Sequence, residues 1–125
     1  MLRGPKVYPV DFSLFIALSE PQARRRVSKR YHLPSGAIIV LITVEALRLV
    51  GGIVATRSLH NAKLMSPSLL RKYLALLIAA RLVERYTCHR RHRLRMTLAG
   101  MGVVGEYSRW LLGGARQYVR EQAIS

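Results

Sequence analysis

The sequence predicts a mainly α-helical domain carrying a small β-hairpin, on three observations. Residues 66–86, SPSLLRKYLALLIAARLVERY, open with Ser66 as a good N-cap and Pro67 in the first turn, and Leu70, Tyr73, Leu74, Leu77 and Ile78 recur at the three-four spacing of a buried helical stripe. Residues 82–87 and 94–98 then read as two short strands joined by the basic turn Cys88-His89-Arg90-Arg91-His92-Arg93. Ahead of both, residues 36–56 form an apolar stretch suited to a buried helix. A short helix, a longer one and then a basic hairpin make up a winged helix-turn-helix.

The stripe on the longer helix leaves Ser68, Arg71, Lys72 and Ala75 facing out, and no carboxylate occurs between Glu45 and Glu84. Two cations beside two small residues suit a DNA groove. In a helix-turn-helix the second helix enters the major groove and its N-terminal residues reach the bases. Ser66, Ser68, Arg71 and Lys72 are therefore the candidate base-reading residues. His89, Arg90, Arg91, His92, Arg93 and Arg95 are the candidate DNA contacts of the hairpin, or wing.

Composition narrows the partner. A chain of 125 residues, 50% hydrophobic, has material for one domain with a sizeable core. Twenty-one Lys and Arg against six Asp and Glu give a formal charge of +15 and a pI near 11.4. Such an imbalance costs self-repulsion that an anionic partner relieves, which implies nucleic acid or an anionic membrane surface. The single cysteine, Cys88, has no intramolecular disulfide partner, and Met1 is not followed by a signal-peptide pattern, so a reducing, cytoplasmic, nucleoid-associated setting is expected. Within residues 36–56 the uninterrupted apolar run ends at Val44, before Glu45 and Arg48. A membrane span needs ~20 predominantly apolar residues, so a buried helix is expected there and no membrane partner. Ser35 caps that helix, Ile38, Leu41, Ile42 and Ala46 form its stripe, and Gly51-Gly52 end it.

In chain order, residues 1–10, with Gly4, Pro5 and Pro9, read as an extended arm. Residues 11–33 form an N-terminal helical region: Asp11 caps a first helix to Leu18, and Ser19, Pro21 and Gln22 start or kink a second that runs to Tyr31. Arg24, Arg25, Arg26, Lys29 and Arg30 crowd this second segment, either as a solvated face or in contact with phosphates or a partner's acidic patch. The winged-helix core occupies residues 34–98, with a short strand or extended link at 53–55 and a short helix from Thr56 to about Lys63. Residues 99–125 form the C-terminal helix, which Gly113-Gly114 can divide.

The order of elements, the stretch LLRKYLALLIAARLVERY, the basic wing and Thr97-Leu98-Ala99-Gly100 at the start of the last helix together resemble the MarR family of winged-helix regulators, over about residues 25–112. The resemblance implies a homodimer bound to a pseudo-palindromic operator in double-stranded DNA. It also implies dimerisation through the N- and C-terminal helices and a small-molecule or oxidant effector of unassigned identity. By this resemblance residues 66–79 form the recognition helix, Arg90, Arg91 and Arg93 the wing tip, and residues from Leu98 onward part of the dimer-forming region. The chain departs from the family at Arg81, where a glycine usually precedes the first wing strand, and in a shorter wing without the customary aspartate. The short helix and SPSLLRKYL are also similar to the Rrf2 family, but that family's three-cysteine cluster is missing.

The six acids, Asp11, Glu20, Glu45, Glu84, Glu106 and Glu121, form no close pair, and no phosphate loop or Ser/His/Asp pattern occurs, so no enzyme and no cofactor are expected. Cys88, His89 and His92, even with His32 or His60, read as wing residues rather than zinc ligands, and Cys88 as an incidental thiol rather than a redox switch. Phe12, Phe15, Val103, Tyr107, Trp110 and Leu111 are the candidate dimer interface, because two apolar terminal segments flank the DNA-binding unit. The alternatives are a DNA-architectural or mobile-element replication protein, a basic peripheral membrane or protein-adaptor module, and an RNA-binding protein. The last is weakened by the lack of a sheet with exposed aromatics.

Overall fold

The computed structural model of the chain describes residues 8–124, including the side chains of residues 20–113 and Arg120. The described elements run α1 (Tyr8–Tyr31), α2 (Ser35–Gly51), β1 (Val54–Ala55), α3 (Thr56–Asn61), α4 (Pro67–Ala79), β2 (Val83–Cys88), β3 (Arg91–Met96) and α5 (Leu98–Ile124). The mainly helical class with a basic hairpin is the one observed. β1 adds a third strand, giving an antiparallel sheet in the order β1-β3-β2.

α4 follows its sequence signals closely. The Ser66 hydroxyl accepts the Leu69 amide at 3.3 Å, and Pro67 opens the first turn. Leu70, Leu74 and Leu77 are buried, Tyr73 and Ile78 half-buried, and Ser68, Arg71, Lys72 and Ala75 exposed. The helix ends when the Leu82 amide bonds the Leu77 carbonyl at 3.0 Å and the Arg81 amide bonds Ile78 at 3.0 Å, a Schellman motif. That motif puts Arg81 in the left-handed region at φ 61°. α1 ends in a similar way: Leu33 donates to Ser28 at 3.0 Å with His32 at φ 55°.

α2 is the central helix, packing against α1, α3, α4, α5 and two of the strands. Its buried residues are Ala37, Ile38, Val40, Leu41 and Val44. The expected stripe is corrected at Ala46, which is exposed, and Ile42 is only half-buried. Each fully buried Ile or Leu contributes ~1.5–3 kcal/mol, so this helix anchors the core. Val27, Val54, Leu59, Leu70, Leu77, Val83 and Val103 converge on the same core from the other elements. Ser35 and Thr56 are first helical residues rather than caps; Pro34 and Ala55 hold the cap positions with extended backbone. Among the described residues no single helix is long and apolar enough to cross a membrane; residues 20–31 and 35–51 pass that test only together, across a bend of 106°.

Three further expectations are corrected. α1 is one helix from Tyr8, so Tyr8–Val10 are not part of an arm and Asp11 lies inside the helix rather than at its cap; residues 1–7 lie outside the described residues. Pro9 sits in the first turn, where a missing N–H costs nothing, and Pro21 is carried inside a helix that packs along α5. The hairpin turn is only His89-Arg90, both at positive φ (52° and 63°), closed by the pair Cys88 and Arg91. Arg91, His92 and Arg93 belong to β3, because an outward cation fits a strand and Ala55 pairs with Arg93 from the other edge. α5 continues through Gly113-Gly114. Two helical glycines weaken a helix by ~1 kcal/mol each without having to break it.

Candidate nucleic-acid interface

On α4, Ser68, Arg71, Lys72 and Ala75 stand at i, i+3, i+4 and i+7, so they share about 100° of the helix circumference. Among the described residues no carboxylate lies within 4.0 Å of Arg71 or Lys72; the ion pairs there are Arg24–Glu20, Arg30–Glu106, Arg48–Glu45, Arg95–Glu84 and Arg109–Glu106. Both cations are therefore available to an outside anion. Lys72 Nζ lies 5.9 Å from the Tyr73 ring centroid, which keeps its stem along the helix. Ser66, spent on capping, can still donate its hydroxyl hydrogen to a ligand.

The wing residues divide by position. His89 and Arg90 form the tip, and Arg91 and His92 are exposed just below it. Arg93 is half-buried between β1 and β2. Arg95 is engaged within the wing: its Nε lies 3.3 Å from Glu84, directly across the ladder, and its guanidinium stacks 4.7 Å from the Tyr86 ring. Its charge is thus partly neutralised, leaving Arg90 and Arg91 as the freer wing cations.

Sequence reasoning missed Arg57. Pairing of β1 with β3 brings the start of α3 against the wing, and Ala55, Thr56, Arg57, Arg90, Arg91 and Arg93 line one open groove there. Thr56 Oγ1 is buried in that wall with no hydrogen-bond partner among the described residues. A two-residue strand gives too weak a sequence signal to reveal this pairing.

The wing root is locked to α5 by Thr97. Its hydroxyl accepts the Gly100 amide at 2.9 Å and faces the carbonyls of Arg81 at 2.8 Å and Leu82 at 3.1 Å. A Cβ on Gly100 would stand 2.1 Å from the Leu82 carbonyl oxygen, so only glycine permits this approach. The Thr97-Leu98-Ala99-Gly100 sequence is therefore a physical joint between hairpin and helix.

Solved structures share the overall fold. A MepR mutant from a multidrug-resistant S. aureus clinical isolate superposes with a TM-score of 0.73 at 15% identity, over 92% of this chain and 83% of that one. A crystal structure of the S. aureus MepR–DNA complex gives 0.67 at 14%, over 94% and 84%. A MarR family protein from Bacillus stearothermophilus gives 0.59 at 18%, over 99% and 94%. The fold is that of MarR family proteins. Neither a family model nor a curated protein matches the sequence, so the MarR-like likeness is one of fold.

The MarR-like fold also redistributes the candidate dimer residues. Val103 and Tyr107, 2% and 6% exposed, are covered by this chain's own core, and Leu111 packs against it. Tyr107 meets Glu20 of α1, and burial first, then Glu20, pushes its hydroxyl pKa from 10.0 up to about 12. Trp110 remains 43% exposed beneath the Arg26 guanidinium. Phe12 and Phe15 lie outside the residues whose side chains are described. The outer face of α5 carries Leu98, Met101, Gly102, Gly105 and Leu112, all exposed, and these were not singled out from the sequence. Among the described residues no three His, Cys, Asp or Glu side chains gather as metal ligands.

Proposed function

We propose that the protein is a sequence-specific, double-stranded DNA-binding regulator of transcription that acts as a homodimer. The observation that carries this reading is the α4 face of Ser68, Arg71, Lys72 and Ala75, without a nearby carboxylate among the described residues and flanked by a cationic wing, on the fold that MepR uses in its DNA complex. α4 lies in the major groove, where Arg71 and Lys72 meet base edges; Arg90 and Arg91 of the wing, with Arg57 beside them, hold phosphates or the adjacent minor groove. The exposed face of α5 supports self-association, since Leu98, Met101 and Leu112 gain burial and Gly102 and Gly105 permit close helix approach, with the cation of Arg109 among them.

Selection from random duplex DNA tests the reading. A palindromic consensus is expected, which would establish both specificity and two-fold symmetry. Salt-sensitive binding with no consensus would instead make the protein a DNA-architectural one.

A further inference from the structure

α1 carries a cationic face that α4 and the wing do not use. Gln22, Arg25, Arg26 and Lys29 are exposed and stand at i, i+3, i+4 and i+7, the spacing found on α4, while Ala23 and Val27 enter the core from the opposite side. Their neighbours are neutralised within the chain: Arg24 meets Glu20 at 2.6 Å, and Arg30 meets Glu106 at 3.1 Å. Among the described residues no carboxylate lies within 4.0 Å of Arg25, Arg26 or Lys29. The Arg26 guanidinium sits 4.3 Å from the Trp110 ring centroid on α5, which preorganises its fork. α1 packs on α2 and α5, and α4 packs on α2, so the two cationic helices share α2 as a neighbour.

We propose that the α1 face formed by Gln22, Arg25, Arg26 and Lys29, beside Trp110, is a second site for duplex DNA that grips phosphates without reading bases and so lets the protein bridge two DNA segments. This rests on the DNA-binding reading of α4 and the wing. Among the described residues, Glu20, Glu45, Glu84 and Glu106 each already pair with an arginine of their own chain, so none of these four is free on a second copy to meet the face. A protein partner would centre on Trp110, the one exposed aromatic beside this face among the described residues, whereas Gln22, Arg25, Arg26 and Lys29 themselves are all polar. A membrane surface requires an apolar helix face to insert, and Ala23 and Val27 commit that face of α1 to the core. Duplex DNA requires only cations at close intervals, offering one charge per ~1.7 Å of its axis.

The test uses an immobilised duplex carrying the selected consensus and a labelled duplex of unrelated sequence. The unmodified protein is expected to hold both. The double variant Arg25→Ala with Lys29→Ala changes two exposed side chains; it should hold the consensus duplex as before and capture at least tenfold less of the labelled one. Its salt slope for that capture should fall by about two, one unit for each lost phosphate contact. Equal capture by the double variant overturns the proposal, since bridging would then come from the two α4 helices of a dimer. So does an unmodified protein that holds the consensus duplex and captures nothing more. If the immobilised duplex itself stays empty, the DNA-binding reading fails, and this proposal with it. Flotation of the unmodified protein, but not the double variant, with phosphatidylserine vesicles, without capture of the second duplex, reassigns the face to membrane.

Discussion

Arg71 and Arg91 are both exposed arginines, yet the proposed DNA-binding mode assigns them different targets. On α4, Arg71 can offer its planar fork to a guanine edge, so Arg71→Ala should cost ~1–3 kcal/mol on the selected site and much less on random DNA. Arg91, just below the tip of a short hairpin, is proposed to meet phosphate, so Arg91→Ala should weaken all duplexes nearly alike and reduce the salt slope by about one. Titrations of both variants on selected and random duplexes at several salt concentrations check this, and the opposite pattern would reverse the two assignments. Arg81 poses a different problem, since it occupies a left-handed φ of 61° that a side chain resists. Arg81→Gly should raise stability by about 1 kcal/mol in denaturant unfolding, the strain relieved exceeding the added chain entropy. Tyr107 sets a pH limit. Its pKa of about 12 in the fold exceeds the ordinary 10.0, so the unfolded chain loses this proton first as pH rises. The stability it contributes is complete below pH 10.0 and is lost as pH rises toward about 12; Tyr107→Phe should flatten that part of the thermal midpoint profile.

The joint between hairpin and α5 is where local sequence and tertiary packing meet. Thr97→Ala removes both the α5 cap and the hydroxyl facing the two carbonyls, and should cost ~0.5–2 kcal/mol. Gly100→Ala should cost more, because its Cβ would press on backbone, the Leu82 carbonyl, rather than on a flexible side chain. Urea midpoints at unchanged m-value would rank the two. The elements legible in the sequence were those whose signals act locally: α4 through Ser66, Pro67 and its leucine stripe, and the start of α5 through Thr97 and Gly100. Those misread depend on contacts between distant residues. Pro21 looks like a break until α1 is laid along α5, and Arg91 to Arg93 look like turn until Ala55 pairs with Arg93. The site shows the same division. The outward face of α4 follows from periodicity alone, whereas Arg57 joins the groove only through β1, and the Glu84 partnership of Arg95 only through the ladder register.

For the whole molecule, the formal charge of +15 predicts binding dominated by counterion release. If each protomer neutralises ~4 phosphates, a dimer should show a log-log salt slope of about −7. Light scattering should find that dimer at micromolar concentration. Leu112→Asp, which alters an exposed residue of α5, should yield a folded monomer. Unchanged mass would move the interface off this face. The Thr97–Gly100 joint also has a mechanical meaning. Hairpin root and α5 are fastened through the Arg81 and Leu82 carbonyls, so a rotation of the long helix carries the hairpin with it. A helix of 27 residues is ~40 Å long, and a tilt of about 5° moves its far end by ~3.5 Å. In the proposed dimer, two copies paired through such helices would work as a caliper: the crossing angle would set the gap between the hairpins, and anything that closed it by a few degrees would pull both out of register with the grooves.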